Sequence, residues 1–134
     1  MNNTQQNILS ILKEHSVYAA ALGLTLLFFL YKGIAYLIIG SYFPLILISA
    51  IVILFILSSR NSKKLFKRII GIWAILLIIW SSVRLLLSLT NQFVKQIPES
   101  HVSEQLGVFD SILSLLFLSG AIYLLRYKKR IFEK

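Results

Sequence analysis

Cysteine is absent from this chain of 134 residues, and acidic residues are scarce, with five Asp and Glu against fourteen Lys and Arg. The absence of cysteine excludes disulfides, thiolate catalysis, and zinc or iron–sulfur centres with cysteine ligands. Neither a paired acid and base nor a glycine-rich phosphate loop can be recognised in the sequence. We therefore expect no enzymatic activity, no metal site and no cofactor.

Apolar residues, by contrast, are abundant. They make up 57% of the chain, and the mean hydropathy is +0.81, whereas soluble domains contain roughly 45–50% apolar residues. A helix that crosses a bilayer needs about 20 predominantly apolar residues, so a chain of this length has room for about four. The composition predicts an all-α integral membrane protein with four transmembrane helices.

Apolar runs separated by polar segments locate these helices. We predict transmembrane helices at 18–39, 43–59, 69–89 and 107–125, arranged as two hairpins within a single transmembrane domain. The segments that accompany them are an interfacial N-terminal segment at 1–16, an inner basic loop at 60–68, an outer loop at 91–106 and a basic tail at 126–134. Gly40 and Pro44 mark the first turn. Lys32 and Gly33 offer a second place for it, which would leave a first helix of only about 15 residues.

The basic residues predict the orientation of the chain. Ten of the fourteen lie in 60–68 and 126–134, and short segments rich in Lys and Arg stay in the cytoplasm. We therefore predict that both termini are cytoplasmic, in a bacterial inner membrane. The same rule accounts for the net charge of +9, so we expect no nucleic-acid partner. The candidates for contact with inner-leaflet lipids or an acidic partner are Arg60, Lys63, Lys64, Lys67, Arg68, Arg126, Lys128, Lys129 and Arg130.

The two basic segments also resemble each other. Shifted by 66 residues without a gap, RNSKKLFKR aligns with RYKKRIFEK, so that Arg60 matches Arg126 and Phe66 matches Phe132. A tandem duplication of a two-helix hairpin would explain this and would relate the halves by a pseudo-twofold axis along the membrane normal. The alternative is that any two basic segments that follow transmembrane helices look alike.

Arg84 interrupts the third predicted helix. Twelve Leu or Ile residues lie in 69–89. At about −0.3 to −0.6 kcal/mol each, they offset the roughly +2.5 to +3.5 kcal/mol of a central Arg, so the helix should still insert. Arg84 also lies five residues before the predicted end of this helix. That distance is about 7.5 Å along the axis, from where the guanidinium can reach the lipid headgroups.

Polar residues within the predicted helices recur at helical spacing. Trp80, Arg84 and Ser88 follow one another at intervals of four residues, which places them on one helix face. The predicted topology puts Lys32, Arg84 and Asp110 in the outer half of the membrane, where an Arg84–Asp110 ion pair shared with Lys32 is geometrically feasible. The candidates for a ligand site or pathway are Lys32, Tyr36, Trp80, Arg84, Ser88 and Asp110.

Two interpretations of these charges compete. In the first, Lys32 and Arg84 extend to outer lipid phosphates, Arg84 lies over the Trp80 ring, and Asp110 favours the N-terminal end of its helix. In the second, the cations line a pocket or pathway for an anionic group, such as a small anion or a lipid headgroup, and Asp110 balances or gates them. Both interpretations predict a polar outer vestibule, but only the second predicts a ligand.

The outer loop offers a weaker pattern. His101 precedes Glu104 by three residues and Glu99 is near, a spacing that would put ligands for a metal ion on one helix face. Two or three ligands in a loop do not make a site, and a solvated loop is the simpler interpretation.

Three functions are compatible with these features. The leading hypothesis is a homo-oligomeric pore or small transporter for an anionic or lipid-headgroup species, because it alone uses the intramembrane charges. The second is a non-catalytic accessory or assembly subunit of a larger membrane complex, and the third is a membrane-perturbing toxin or phage-defence effector. Four helices enclose little interior volume, and small residues such as Ser119, Gly120 and Ala121 suit close helix association. We therefore expect a homo-oligomer or a larger complex, surrounded by membrane lipids.

Overall fold

The computed structural model describes residues 2–93 and 107–133, and within these ranges it contains helices and no strand. The helices are α1 (Asn3–Glu14), α2 (Ser16–Ile38), α3 (Phe43–Asn61), α4 (Lys63–Phe93) and α5 (Val108–Phe132). Four of them contain stretches long and apolar enough to cross a membrane: Ser16–Ile38, Phe43–Asn61, Lys63–Thr90 and Val108–Phe132. The prediction of an all-helical chain with four candidate transmembrane helices is confirmed.

The surface of these helices is apolar, unlike that of a soluble protein, and small polar side chains are buried beside the apolar ones. Large apolar side chains face outward, as at Ile38, which is 83% exposed, and Leu24, which is 67% exposed. Small hydroxyl side chains face inward, and Ser58, Ser81 and Ser88 are all completely buried. In lipid the outer surface must be apolar, whereas polar side chains pair between helices. The chain is therefore a small membrane protein.

The turn between α2 and α3 follows from Gly40. This glycine has a φ of +88°, a left-handed conformation that costs glycine least. It allows the Ser41 amide to donate to the Tyr36 carbonyl (2.9 Å) and the Gly40 amide to donate to the Leu37 carbonyl (3.0 Å). These two bonds form a Schellman motif, which satisfies carbonyls at the helix end. Pro44 then lies in the first turn of α3, where its missing N–H costs nothing.

Gly33 lies within α2 and does not form the alternative turn. A Cβ atom added there would lie 3.2 Å from both the Leu45 Cα and the Ile48 Cγ2 atoms of α3. Glycine therefore permits close packing of α2 against α3, the usual role of small residues between membrane helices.

The two basic segments differ from the expected loop and tail because both are largely helical. Only Ser62 interrupts the helix in 60–68, and α5 continues through the tail as far as Phe132. Lys and Arg are good helix formers, and a helix of 31 residues such as α4 is about 46 Å long, against an apolar core of about 30 Å. The charged ends therefore continue as helix beyond the apolar stretch.

The described chain divides into two compact units. The terminal unit contains the residues up to Gly71 together with those from Arg126 onward, and the central unit runs from Ile72 to Leu125 with 94–106 outside the description.

Aromatic rings form the core of the terminal unit. Tyr18, Phe55, Phe66 and Phe132 come from four helices and are each at most 6% exposed. Ring centroids lie 6.2 Å apart for Tyr18–Phe132, 5.9 Å for Phe66–Phe132 and 5.9 Å for Phe55–Phe66, all with edge-to-face geometry. Such pairs add about 0.5–1.5 kcal/mol each beyond the area they bury. The ring cluster thus joins α2, α3, α4 and the end of α5.

An ion pair lies next to this cluster along the chain. The Lys67 ammonium donates to the Glu133 carboxylate. This hydrogen bond, together with the charge of Lys67, lowers the pKa of Glu133 below its ordinary value of 4.5. The tail is therefore bonded to the first turns of α4.

The N-terminal segment forms a separate helix that packs on the same unit. The chain breaks at His15, with φ −109° and ψ 63°, so α1 is not continuous with α2. Ile8 is 1% exposed, and α1 contacts both α2 and α3. The Asn2 side-chain amide donates to the Arg60 carbonyl at 3.5 Å, a long hydrogen bond. The expected interfacial segment is thus an amphipathic helix that rests on the bundle.

Candidate functional site

The charged residues predicted within the third and fourth transmembrane helices meet in the central unit. Arg84 of α4 donates from Nη2 to Oδ1 of Asp110 on α5, and their side chains are only 15% and 14% exposed. Asp110 lies in the first turn of α5, where the helix dipole favours a negative charge. Arg84 lies six residues before Thr90, the last residue of the apolar stretch, which is about 9 Å along the axis. The pair therefore lies toward one end of the two helices.

The Trp80 ring covers the guanidinium. The Arg84 Cζ atom lies 5.2 Å from the centroid of the Trp80 ring, and Trp80 in turn meets Phe117 edge to face, with centroids 5.6 Å apart. A cation over an indole face gains about 0.5–2 kcal/mol, and more where water is excluded. Trp80 lies one helical turn before Arg84. The four-residue spacing in the sequence therefore predicted this contact.

Hydroxyl groups continue the contact between α4 and α5. The Ser88 hydroxyl lies 2.6 Å from that of Ser111 and donates to the Gly107 carbonyl at 3.2 Å. If Ser111 donates to Ser88, both bonds can form at once, because each hydroxyl has one proton to give. We call Ser81, Arg84, Ser88, Asp110, Ser111 and Ser114 the polar seam.

The remaining two serines of the polar seam bond within their own helices. Ser81 donates to the Leu77 carbonyl at 2.5 Å, and Ser114 donates to the Asp110 carbonyl at 2.7 Å. Both are completely buried. A serine bonded in this way presents a small surface, which lets neighbouring helices approach closely. The polar seam thus combines one charged pair with close packing.

Electrostatics decides what this arrangement can do chemically. A guanidinium and a carboxylate that are both largely shielded from water attract strongly, but each has lost hydration, so either is costly without the other. Another anion of suitable size can replace the carboxylate at Arg84, because a guanidinium offers five N–H donors in a planar fork. An anion that bound to Arg84 would therefore compete with the Asp110 carboxylate.

The candidates Lys32 and Tyr36 belong to the terminal unit. The Lys32 ammonium lies 5.8 Å from the centroid of the Phe28 ring, and Tyr36 is 38% exposed. The Tyr36 carbonyl takes part in the cap of α2, as described above. Sharing of the Arg84–Asp110 pair with Lys32 stays a prediction.

The basic candidates for lipid or partner contact all belong to the terminal unit. Lys67 bonds Glu133, and the Lys128 ammonium lies against Gly71 of α4. The exposed members of the set are Arg60, Lys64, Arg68, Arg126, Lys129 and Arg130, and the half-buried members are Lys63, Lys67 and Lys128.

Sequence reasoning missed Ser81, Ser111 and Gly107. Ser81 lies three residues before Arg84, and Ser111 lies three before Ser114. A search for small hydroxyl residues three or four positions from each charge would have found Ser81 but not Ser111, which directly follows Asp110. Nothing in the sequence points to the Gly107 carbonyl, since any residue carries one.

Metal ligands do not cluster in the part of the chain that the structure describes, where no three His, Asp or Glu side chains come together. The candidate ligands Glu99, His101 and Glu104 lie outside the described residues. Comparison with protein-family models, curated proteins and solved structures finds no significant match for the chain.

Proposed function

We propose that the chain is a small homo-oligomeric transporter or pore for an anionic species, and that Arg84 is the residue that binds the anion. The observation that carries this proposal is the ion pair between Arg84 and Asp110, with both side chains about 85% shielded within apolar helices. Charged residues are costly in a membrane, and where they occur they commonly mark substrate or ion pathways.

Exchange of anions at Arg84 supplies the mechanism. In the resting state the Asp110 carboxylate is bonded to the Arg84 guanidinium. An arriving anion replaces the carboxylate at the guanidinium, and Asp110 separates from α4. The hydroxyl contacts of Ser88 with Ser111 and Gly107 then become the main polar bonds between the helices. Binding therefore changes the α4–α5 contact, which is the coupling between ligand and conformation that transport requires.

Assembly from several copies follows from the size of the chain. Four helices enclose too little space for a wide solute pathway, and the outward faces carry large apolar side chains that suit either lipid or another copy. The cationic ends of α4 and α5 favour the cytoplasmic side, which supports a cytoplasmic location for both termini. A bacterial inner membrane fits this orientation.

A second candidate function is a non-catalytic accessory subunit of a larger membrane complex. The observation that favours it is that polar groups of the seam bond one another between α4 and α5, since Arg84 bonds Asp110 and Ser88 bonds both Ser111 and Gly107. A set of polar bonds that only holds two helices together needs no ligand.

Anion flux through the purified protein tests the leading proposal. We would reconstitute it into liposomes and measure the efflux of chloride and of inorganic phosphate, and the flipping of fluorescently labelled phosphatidylglycerol. Arg84→Gln should reduce the flux of the transported species by about tenfold or more, since it removes a charge-assisted bond worth about 1.5–3 kcal/mol. Arg84→Lys should retain part of the activity, because it keeps the positive charge.

Arg126→Gln is the matched control, since it removes one exposed cation far along α5 from Asp110. It should leave the flux unchanged. Absence of flux of all three probes in the folded wild type, or equal flux in wild type and Arg84→Gln, would refute the proposal. Native mass spectrometry of the mildly extracted particle separates the two candidates: a discrete homo-oligomer supports the transporter, and a complex with another protein supports the accessory subunit.

A further inference from the structure

We propose that α1 holds an anionic phospholipid against the terminal unit, with an acyl chain in an apolar cleft on one side of α1 and the headgroup at the polar, basic end of α3 and α4. The site uses none of the residues assigned to anion transport, so it goes beyond the proposed function and stands or falls separately.

An apolar cleft of about 250 Å³ lies where α1 meets the other helices. Ile8 and Leu12 of α1 line it together with Leu22 and Leu26 of α2, Ile56 of α3 and Phe66 of α4. Two lining residues, Leu9 and Ile56, are 49% and 48% exposed, so the cleft opens outward. Since these helices cross a membrane, the surroundings of the cleft include lipid chains.

A polar cleft of about 340 Å³ lies beside the first turns of α1. Asn3, Thr4 and Asn7 line it from α1, and Asn61, Ser62 and Lys63 line it from the α3–α4 junction. The six side chains provide amide, hydroxyl and ammonium donors, which suit phosphate and glycerol oxygens. None of them is acidic.

The two clefts are close along the chain on both walls. Gln5 lines the apolar cleft and Thr4 the polar one, and likewise Ser59 lines the apolar cleft and Asn61 the polar one. A single ligand that reached from one cleft to the other would need an apolar tail joined to a polar head. A phospholipid has this structure.

Charge favours an anionic headgroup over a zwitterionic one. The segment 60–68 carries Arg60, Lys63, Lys64, Lys67 and Arg68 and no acidic residue, and Glu133 bonds Lys67 alone among these. Each Lys or Arg near an anionic lipid surface adds to the attraction.

Lipid retention tests this site. The purified protein is incubated with vesicles of phosphatidylglycerol or of phosphatidylcholine and extracted in mild detergent, and the lipid retained per chain is counted by native mass spectrometry. We expect one retained phosphatidylglycerol and about tenfold less phosphatidylcholine at equal lipid concentration. Arg60→Gln with Lys63→Gln should lower phosphatidylglycerol retention to the phosphatidylcholine level.

Two further sets of variants complete the test. Arg126→Gln with Lys129→Gln removes the same charge at the matching positions of the tail, and it should leave retention unchanged. Ser59→Phe fills the apolar cleft and should abolish retention of both lipids. Leu9→Phe, at the half-exposed mouth, does the same with less risk to folding, which circular dichroism checks.

Three results would overturn the inference. One is equal retention of the two lipids by the wild type. Another is retention that the cleft-filling variants leave unchanged or that the tail variant lowers as much as Arg60→Gln with Lys63→Gln does. The third is a second protein chain, rather than lipid, held by the wild type and released by Leu9→Phe. None of these results bears on the proposal that Arg84 binds the transported anion.

Discussion

The terminal unit and the central unit are held together by different kinds of side chain. The terminal unit packs Tyr18, Phe55, Phe66 and Phe132 edge to face, whereas the central unit joins α4 to α5 through Arg84–Asp110 and Ser88–Ser111. Within a membrane, lipid chains are as apolar as the side chains, so association depends on packing and on polar bonds. The rings of the terminal unit provide packing and tolerate small shifts. The polar seam of the central unit provides polar bonds and requires fixed partners.

The largest expected effect comes from removing a ring of the terminal unit. Phe66→Ala should lower the free energy of unfolding by about 3 kcal/mol, because Phe66 contacts two other rings and leaves a cavity. Phe43→Ala, which removes a ring that is 73% exposed, is the control and should change the free energy by about 0.5 kcal/mol or less. Unfolding by SDS in mixed micelles measures both, and equal losses would contradict the assignment of the core.

Separating the ion pair of the polar seam should have the next largest effect. Arg84→Leu and Asp110→Leu should each cost about 2 kcal/mol, somewhat less than for a fully buried pair, since each leaves a charge in a largely apolar site. The double variant should recover most of this loss, because no charge remains.

A double-mutant cycle from the same SDS titrations gives the coupling between Arg84 and Asp110. Additive losses would show that the two side chains act independently, and the polar seam would then not differ from the ring cluster in needing fixed partners. Arg84→Leu alone cannot decide the transport role, which the flux measurements address.

The hydroxyl contacts of the seam should matter less than its charges. Ser88→Ala should lower the free energy of unfolding by about 0.6 kcal/mol, the average for a hydrogen bond between membrane helices. Thr90→Ala removes an exposed hydroxyl that bonds within α4 and should have no measurable effect. A larger loss of unfolding free energy for Thr90→Ala than for Ser88→Ala would contradict the assignment of the α4–α5 hydroxyl contact to Ser88.

The smallest effect should come from Glu133, at the edge of the terminal unit. Folding lowers the pKa of this carboxyl below 4.5 through the hydrogen bond and charge of Lys67. The stabilisation is therefore present above pH 4.5 and is lost as the pH falls through the lowered pKa. Lys67→Met should weaken the dependence of the free energy of unfolding on pH in the acid range. The same pH dependence in wild type and variant would show that the contact contributes nothing.

Hydropathy predicted the four helices and the first turn, because apolar length and a glycine followed by proline have direct structural causes. The helical state of 60–68 was not predicted, since Lys and Arg favour helices as well as marking the membrane boundary. A charge run alone does not distinguish a loop from the end of a long helix.

The candidate site was only partly predictable. The Arg84–Asp110 pair and the position of Arg84 over Trp80 followed from helical spacing and the scarcity of acids. Ser111 and Gly107 depend on the rotation of α5 about its axis, which two charges do not fix. The packing of α1 against α3 likewise depends on the break at His15. No glycine or proline marks this break in the sequence.

The contact between Lys67 and Glu133 has a further consequence if the chain arose by the predicted duplication. These positions match under the 66-residue shift, as do Phe66 and Phe132, and both matching pairs are in contact. In a dimer of identical hairpins, a residue beside the twofold axis meets its own copy, so a lysine would face a lysine. Fusion of two such hairpins into one gene would free the second copy to change sign, and a repulsion fixed by symmetry would become an ion pair.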